Sequence, residues 1–497
     1  MSRPWFYRAA GFCLAAAAAA AALAQEPAER LYVLVSPLTT AGPSSVIAFD
    51  VGSDGALIQG GSFGVGGEGR GFYSRQPMSI DADGRFLFVA NNISLDLSVL
   101  AIGSDGALSP VATSPVPLGS LAAAMATHPA LPRLYVPLFF SRQLRVFGID
   151  GTGGLDLLQT IDTGPEPRAV VVSPSGAFVY VIDGFSAEIR AYHVAADGTL
   201  LEMAGSPFPV ADDRLWNLAI SSDGRSLYAH DLDLGIFAFD IGSAGGLTPV
   251  AGSPFAAGSF TDTFALTPDG RFLYANAPFD QEISGFAVAS DGGLAPAPGS
   301  PFGGDFVAAT LLPSVASPRL YFVGRETARI STFGIDVEGR LSALGPPTDV
   351  VDGEGRSPAS AIVLALGLHV SIDIKPGSVP NPINLRSAGV TPVAILGSSR
   401  LDVSTVVVAS VRFGPSAAAP VQGSHIEDVD GDGDPDLVVH FRTDATGLTC
   451  GDTSAGLTGS TTDGRSFSSQ DSIVTLGCGS RGFAFRAPMG RRVELRP

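Results

Sequence analysis

Short apolar runs broken by tight-turn residues fill the chain from Leu31 to Leu366, and they recur with a fixed period. A strand centred on an aromatic residue appears seven times, at Tyr32, Phe88, Tyr135, Tyr180, Tyr228, Tyr274 and Tyr321. Successive anchors are 56, 47, 45, 48, 46 and 47 residues apart. Before most anchors lies a small-apolar strand such as Ala169–Val172, joined to the anchor strand by a turn such as Asp223-Gly224-Arg225 or Asp269-Gly270-Arg271. Asp-Gly suits the positive φ angles of tight hairpins. After the anchor comes an alternating strand, such as Ile189–Val194, then a second Asp-Gly turn and a short last strand. Gly-Ser-Pro-Phe closes the unit at Gly205–Phe208, Gly252–Phe255 and Gly299–Phe302.

Four short strands in each unit of about 45 residues, repeated seven times, predict an all-β fold, a seven-bladed β-propeller. A solenoid needs shorter repeats, and a sandwich does not repeat so evenly. The first copy lacks an inner strand. Ala359–Leu366 has inner-strand composition with no anchor after it, so it is expected to pair beside Leu31–Val35 and close the ring. Closure leaves no open sheet edge. Past Gly367 the repeat stops. Val370–Ile374, Val390–Leu396 and Val406–Phe413 read as strands of a small β-sandwich. The expected organisation is 1–24 signal peptide, 25–367 propeller and 368–497 a β-sandwich-like calcium-binding module.

The signal peptide rests on Arg3 and Arg8, the apolar run from Ala9 to Leu23, and small residues up to Ala24. An uncleaved anchor is the alternative. The expected location is therefore secreted or periplasmic, with cleavage after Ala24. The run is too short for a membrane span and no second one follows, so no span is expected in the mature chain. The full chain carries a net charge of −18. Removing two arginines and no acid with residues 1–24 gives −18 − 2 = −20. Such a chain lacks the basic footprint that nucleic acid requires. Cys13 leaves with the signal, so Cys450 and Cys478 are most simply one disulfide, with two free thiols the alternative.

Residues 267–302 show the repeat marks best: Thr267-Pro-Asp-Gly-Arg-Phe-Leu-Tyr-Ala-Asn276, Asp291-Gly-Gly-Leu294 and Gly299-Ser-Pro-Phe302. The pattern resembles the lactonase-type seven-bladed propellers, a family that includes 6-phosphogluconolactonase. The resemblance covers about residues 31–366 and implies a channel-mouth site with histidine, arginine and glutamate. The family's Gly-Pro-Arg-His stretch is matched by Gly164-Pro-Glu-Pro-Arg168, with Ala169 in the histidine's place. Its Asn-Glu is matched by Asp183-Gly184, and its Asp-Leu-Gly by Asp231-Leu-Asp-Leu-Gly235. The resemblance thus offers Arg168 and Asp231 as catalytic candidates, without the histidine or glutamate. Loops entering the inner strands and loops after the anchors open on one face around the channel. Arg214, Arg356 and Asp262 lie on the first kind, and Arg142, Asp183 and Arg325 on the second. Arg214, Arg142, Asp183 and Arg356 are the ligand-binding candidates. Solvated loop charges are the bland alternative.

The second unit begins Ile372-Asp-Ile-Lys-Pro-Gly-Ser378, which resembles an accessory module of exported bacterial proteins. Its acidic loop runs Asp428-Val-Asp-Gly-Asp-Gly-Asp-Pro-Asp436. Asp428, Asp430, Asp432 and Asp436 fall at positions 1, 3, 5 and 9 of an EF-hand-like calcium loop, and the Asp434 carbonyl falls at position 7. Val439 at position 12 and the strand-like stretch that follows exclude a helix-loop-helix sensor. Five aspartates this close repel one another without a cation, so a structural Ca2+ is expected. Three functions compete. One is a scaffold that binds a small molecule or protein at the channel face. The enzymatic alternative is a lactone hydrolase on an unphosphorylated extracellular sugar lactone. The third is a structural surface protein whose propeller is only an interaction platform.

Overall fold

The computed structural model describes residues 29–365, except 53, 71–76, 104–105, 212–213 and 304–306. It also describes residues 370–478, except 379–380, 398–400, 422, 432 and 463–465. The expected signal peptide and Asp432 lie outside the described residues. The chain divides into two compact units between residues 366 and 367. No helix among the described residues is long and apolar enough to cross a membrane.

The first unit is seven antiparallel sheets, each with a path of four strands, and in four of them a further two-residue strand pairs with the third. Each aromatic anchor sits in the second strand of its blade, beside an inner strand. Pairs such as Tyr180 with Val171 and Tyr274 with Ala265 set the register. Anchors are buried on both faces, with Tyr32, Tyr135, Tyr180, Tyr228, Tyr274 and Tyr321 at 0 % exposure, which explains their unbroken apolar runs. Ser357–Ala365 supplies the inner strand of the first blade, pairing antiparallel with Glu29–Ser36. The ring is therefore closed by the last strand, as the composition of Ala359–Leu366 indicated.

The repeat marks have structural causes. Gly84, Gly224 and Gly270 of the Asp-Gly-Arg turns have φ of 68°, 73° and 70°, where a side chain would be strained. In the Gly-Ser-Pro-Phe turns, the Ser206, Ser253 and Ser300 hydroxyls accept hydrogen bonds from the backbone N–H groups of Ala191, Ala238 and Gly285 at 2.9–3.1 Å. The turn is thus tied to the third strand of its own blade. Gly60–Gly64, which by letter resembles a nucleophile elbow, lies inside the outer strand Leu57–Gly69, without the strand-to-helix turn that such an elbow needs.

In the second unit, a four-stranded sheet has the order Ser371–Ile374, Val390–Leu396, Asp436–Arg442, His425–Glu427. A three-stranded sheet is built from Arg412–Phe413, Ser454–Ser460 and Ser466–Ser472. Both contribute to one apolar core, and Phe413 meets Phe441 with ring centroids 5.1 Å apart. The expected strand Val406–Phe413 is corrected. Val403–Thr405 and Val408–Ser410 are 3-10 turns, and only Arg412–Phe413 is strand. The Ser410 hydroxyl donates to the Val407 carbonyl at 2.7 Å, and this local bond competes with the β preference of the valines. Cys450 and Cys478 form a disulfide, with Cα atoms 5.6 Å apart.

Candidate functional site

A channel of about 480 Å3 runs through the propeller between the inner strands. Its lining mixes polar and apolar groups: Ser79, Thr127, Ser173, Asn217, Thr263, Thr310 and Ser360 stand among Met78, Met125, Val170 and Leu311. Among the described residues, no charged side chain lines it. The cavity reaches Pro129, Pro174 and Pro313, where the inner strands end. The arginine-bearing loops, where the sequence located the ligand site, lie at the opposite ends of those strands.

Arg168 is half-buried and engaged on every side. It pairs with Glu166, donates to the Leu215 carbonyl at 3.0 Å, and lies 4.5 Å above the ring of Trp216. Gly184 leaves room for it, since a Cβ there would press on the Arg168 side chain. That is a physical reason for glycine after Asp183. Asp183 and Asp231 occupy matching places three residues past Tyr180 and Tyr228, and both are buried. Asp231 Oδ1 accepts the Asp233 and Leu234 N–H groups at 2.9 and 2.7 Å. Asp183 Oδ1 likewise accepts the N–H groups of Phe185 and Ser186. Each carboxylate shapes the loop that follows it. Arg142 is exposed with φ of 57°, a backbone position shared by Leu95, Ala187, Gln281 and Ala328. Arg214 makes an exposed ion pair with Asp233 at 2.5 Å, of small energetic weight. Arg356 bonds Asp352 at 2.8 Å and donates to the Pro43 carbonyl at 3.1 Å, bracing blade 1. The rim candidates are therefore engaged in bracing loops and neighbouring blades: Arg168 reaches Leu215, the ladder partner of Asp231, and Arg356 reaches Pro43.

A polar group forms behind the channel wall. His230 pairs with Asn217 across the ladder and meets the Phe264 ring, with centroids 5.7 Å apart. Asn276 pairs with Thr263 and donates to Asp262 at 3.1 Å. Arg325 is buried nearby. Burial pushes its guanidinium pKa down, against the opposing charges of Asp262 and Glu326. His230 is fully buried, out of reach of a ligand in the channel.

The sequence reading missed a feature of the rim. Phe140, Phe185 and Phe279 each fall five residues after an anchor, at Tyr135, Tyr180 and Tyr274. Leu234 occupies the corresponding loop of the intervening blade. All four project into solvent, from 41 % exposed at Leu234 to 72 % at Phe279. Phe260, on an entering loop, packs against Phe279 with centroids 5.1 Å apart and ring planes tilted by 55°. The repeated spacing from the anchors was the available signal.

In the second unit, carboxylate oxygens of Asp428, Asp430 and Asp436 lie within 4.8 Å of one another. Asp436 is buried and accepts the Gly397 and Val429 N–H groups, both at 2.7 Å. Asp428 accepts the N–H groups of Gly431 and Gly433, whose φ values of 80° and 96° turn the loop around it. Asp434 is not among the three converging carboxylates. An all-oxygen donor set on a glycine-turned loop fits a hard cation.

Residues 78–214 match the family model described as Lactonase, 7-bladed beta-propeller. The propeller is lactonase-like. A 213-residue stretch is 26 % identical to the 6-phosphogluconolactonase of Pectobacterium carotovorum, covering 40 % of this chain and 60 % of that protein. Another 100 residues are 31 % identical to the 6-phosphogluconolactonase of Xenorhabdus nematophila, covering 19 % of this chain and 30 % of that one. The chain thus spans less than two thirds of either relative. Among solved structures, the periplasmic gluconolactonase of Pseudomonas aeruginosa superposes with a TM-score of 0.51 at 19 % identity, over 68 % of this chain and 99 % of its own. A protein from Lactobacillus plantarum gives 0.54 at 19 % identity, over 68 % and 99 %. These two share the fold of the lactonase-like propeller.

Proposed function

We propose that the lactonase-like propeller is the binding module of an exported protein, and that the face formed by the loops after its anchor strands docks a protein partner. The observation that carries this reading is the row of exposed Phe140, Phe185, Leu234 and Phe279 on successive blades. Large exposed apolar groups clustered on one face mark interaction surfaces. Their spread over four blades suits a protein surface better than one small molecule. In this reading the second unit is held by a structural Ca2+ on the Asp428–Asp436 loop, with Asp432 and the Asp434 carbonyl completing the oxygen set.

A photo-cross-linking residue in place of Phe185, introduced in the exporting cell, tests the proposal. A discrete adduct is expected, and it is lost when Phe140 and Phe279 are both changed to serine. The same adduct from a cross-linker at exposed Asp197, on the opposite face, overturns it.

A second reading, hydrolysis of an unphosphorylated sugar lactone, is favoured by the names of the curated relatives and by the polar groups lining the channel, Asn217, Thr263, Thr310 and Ser360 among them. It ranks second because Arg168 is engaged and Asp231 is buried. Turnover of any sugar lactone that Arg168→Ala or Asp231→Ala abolishes reverses the ranking.

A further inference from the structure

The outer sheet edge of the second unit carries a side-chain group that the acidic loop does not use. His425 stands opposite Val438 and Glu427 opposite Asp436 across the antiparallel pair. His440 follows Val438 by two residues. Side chains alternate between faces along a strand, so His425, Glu427, Val438 and His440 share one face. The alternate set, Leu437, Val439 and Phe441, belongs to the buried core. His425 and His440 are diagonal neighbours on adjacent strands, a separation that long side chains bridge.

The contacts bear this out. The two imidazole rings stack with centroids 5.9 Å apart and planes 28° from parallel. Glu427 Oε1 lies 3.3 Å from His425 Nε2. His440 Nδ1 is buried without a hydrogen-bond partner among the described residues. A ring nitrogen removed from water with no partner is costly unless a ligand takes it up. His425 and Glu427 are exposed, so both side chains are free to turn toward a common ion.

We propose that His425 and His440 form a cross-strand site for a borderline divalent cation such as Zn2+, with the Glu427 carboxylate completing the protein ligands. Imidazole nitrogens select borderline transition ions over Ca2+, whereas the neighbouring loop offers oxygens alone. The two sites therefore sort cations by donor chemistry. Bound at the sheet edge, the ion cross-links the edge strand His425–Glu427 to Asp436–Arg442, whose first residue anchors the acidic loop. Occupancy of one site is thereby coupled to the order of the other.

Zn2+ titration calorimetry on the whole mature protein, in excess Ca2+ to fill the acidic loop, tests this. One Zn2+ equivalent is expected for the wild type and for Asp430→Ala. Glu427→Gln weakens binding about tenfold, as loss of a supporting carboxylate does. His425→Ala and His440→Ala each abolish the heat. Histidine Cε1–H NMR signals of the wild type supply a second measurement, independent of how the variants fold, and two of them shift with Zn2+. Absence of a Zn2+ heat in the wild type, or an undiminished heat in the His425→Ala/His440→Ala double variant, overturns the proposal.

Discussion

The Tyr321 hydroxyl donates a 2.5 Å hydrogen bond to Glu29 Oε1, joining the last blade to the first. Elsewhere the anchor tyrosine reaches the next blade's outer turn. Tyr32 donates to the Gly106 carbonyl, Tyr135 to Gly198, Tyr180 to Gly245, Tyr228 to Gly292 and Tyr274 to Gly339, at 2.8–3.1 Å. At the closure a carboxylate replaces the turn carbonyl. Glu29 Oε2 also accepts the Val315 and Ala316 N–H groups, tying the first strand to the seventh blade. Removing a hydrogen bond to a buried charge costs about 1.5–3 kcal/mol. Tyr321→Phe is expected to lower the free energy of unfolding by that amount, read as a lower denaturant midpoint at unchanged m, and Glu29→Ala by at least as much. Tyr274→Phe, which loses a bond to a neutral carbonyl, costs less. Equal midpoints for Tyr321→Phe and wild type contradict the closure role.

Phe88 is the one anchor without a hydroxyl. Its blade faces the turn that contains Gly153, the counterpart of the glycines above. Phe88→Tyr restores the missing bond and is expected to stabilise the propeller by about 0.5–1.5 kcal/mol in urea unfolding. A loss of stability shows that this blade interface is packed too tightly for the oxygen.

The anchors predict alkaline behaviour. Burial pushes the Tyr135 and Tyr192 hydroxyls up to about 12, where an unfolded tyrosine ionises near 10. The folded pKa is raised, so the stabilisation is complete below pH 10 and is lost as pH rises towards 12. Absorbance at 295 nm is expected to show tyrosinate appearing together with loss of the β circular dichroism signal, above pH 10. Tyrosinate formation well below that transition contradicts the burial.

His128 acts at the other end of the scale. Its Nδ1 accepts the Ala130 and Leu131 N–H groups, and Nε2 bonds the Gly176 carbonyl at 3.0 Å. Burial lowers its pKa, which the Gly176 bond opposes. A lowered folded pKa means that the stabilisation is present above about 6.5 and falls as pH drops below it. Wild-type stability is expected to decline from pH 7 to 5 more steeply than that of His128→Asn. Parallel curves exclude His128 as the cause.

The propeller was legible because one unit is written seven times, and each mark does a repeated physical task. The anchors latch neighbouring blades, the glycines turn, and the serines of Gly-Ser-Pro-Phe hold the third strand. The candidate site was less legible because function on a propeller is not repeated. Arg168, Asp183 and Asp231 carry the letters of a ligand site, but the burial of the two aspartates in their own turns and the reach of Arg168 to Leu215 and Trp216 of the next blade appear only in three dimensions. Phe140, Phe185 and Phe279 escaped notice for the opposite reason. They follow the period, and periodic aromatic residues read as core. Val406–Phe413 was misread because Val408–Ser410 closes a 3-10 turn, held by Ser410 on the Val407 carbonyl, against the β propensity of its valines.

The two ends of the acidic loop separate binding from folding. Asp430 is exposed and brings its carboxylate to the Asp428–Asp436 cluster, whereas Asp436 is buried and holds Gly397 and Val429. Asp430→Ala is therefore expected to leave the calcium-free unfolding midpoint near the wild-type value and to remove the rise caused by Ca2+. For the wild type, Ca2+ at 100 times Kd raises stability by about 2.7 kcal/mol. Asp436→Ala strands two buried N–H groups, each costing about 1–3 kcal/mol, so it destabilises the second unit even in EDTA. Calorimetric melts of the three proteins with and without Ca2+ distinguish the roles. A calcium-induced rise that survives in Asp430→Ala removes this loop as the calcium site, and an Asp436→Ala melt unchanged in EDTA removes its structural role.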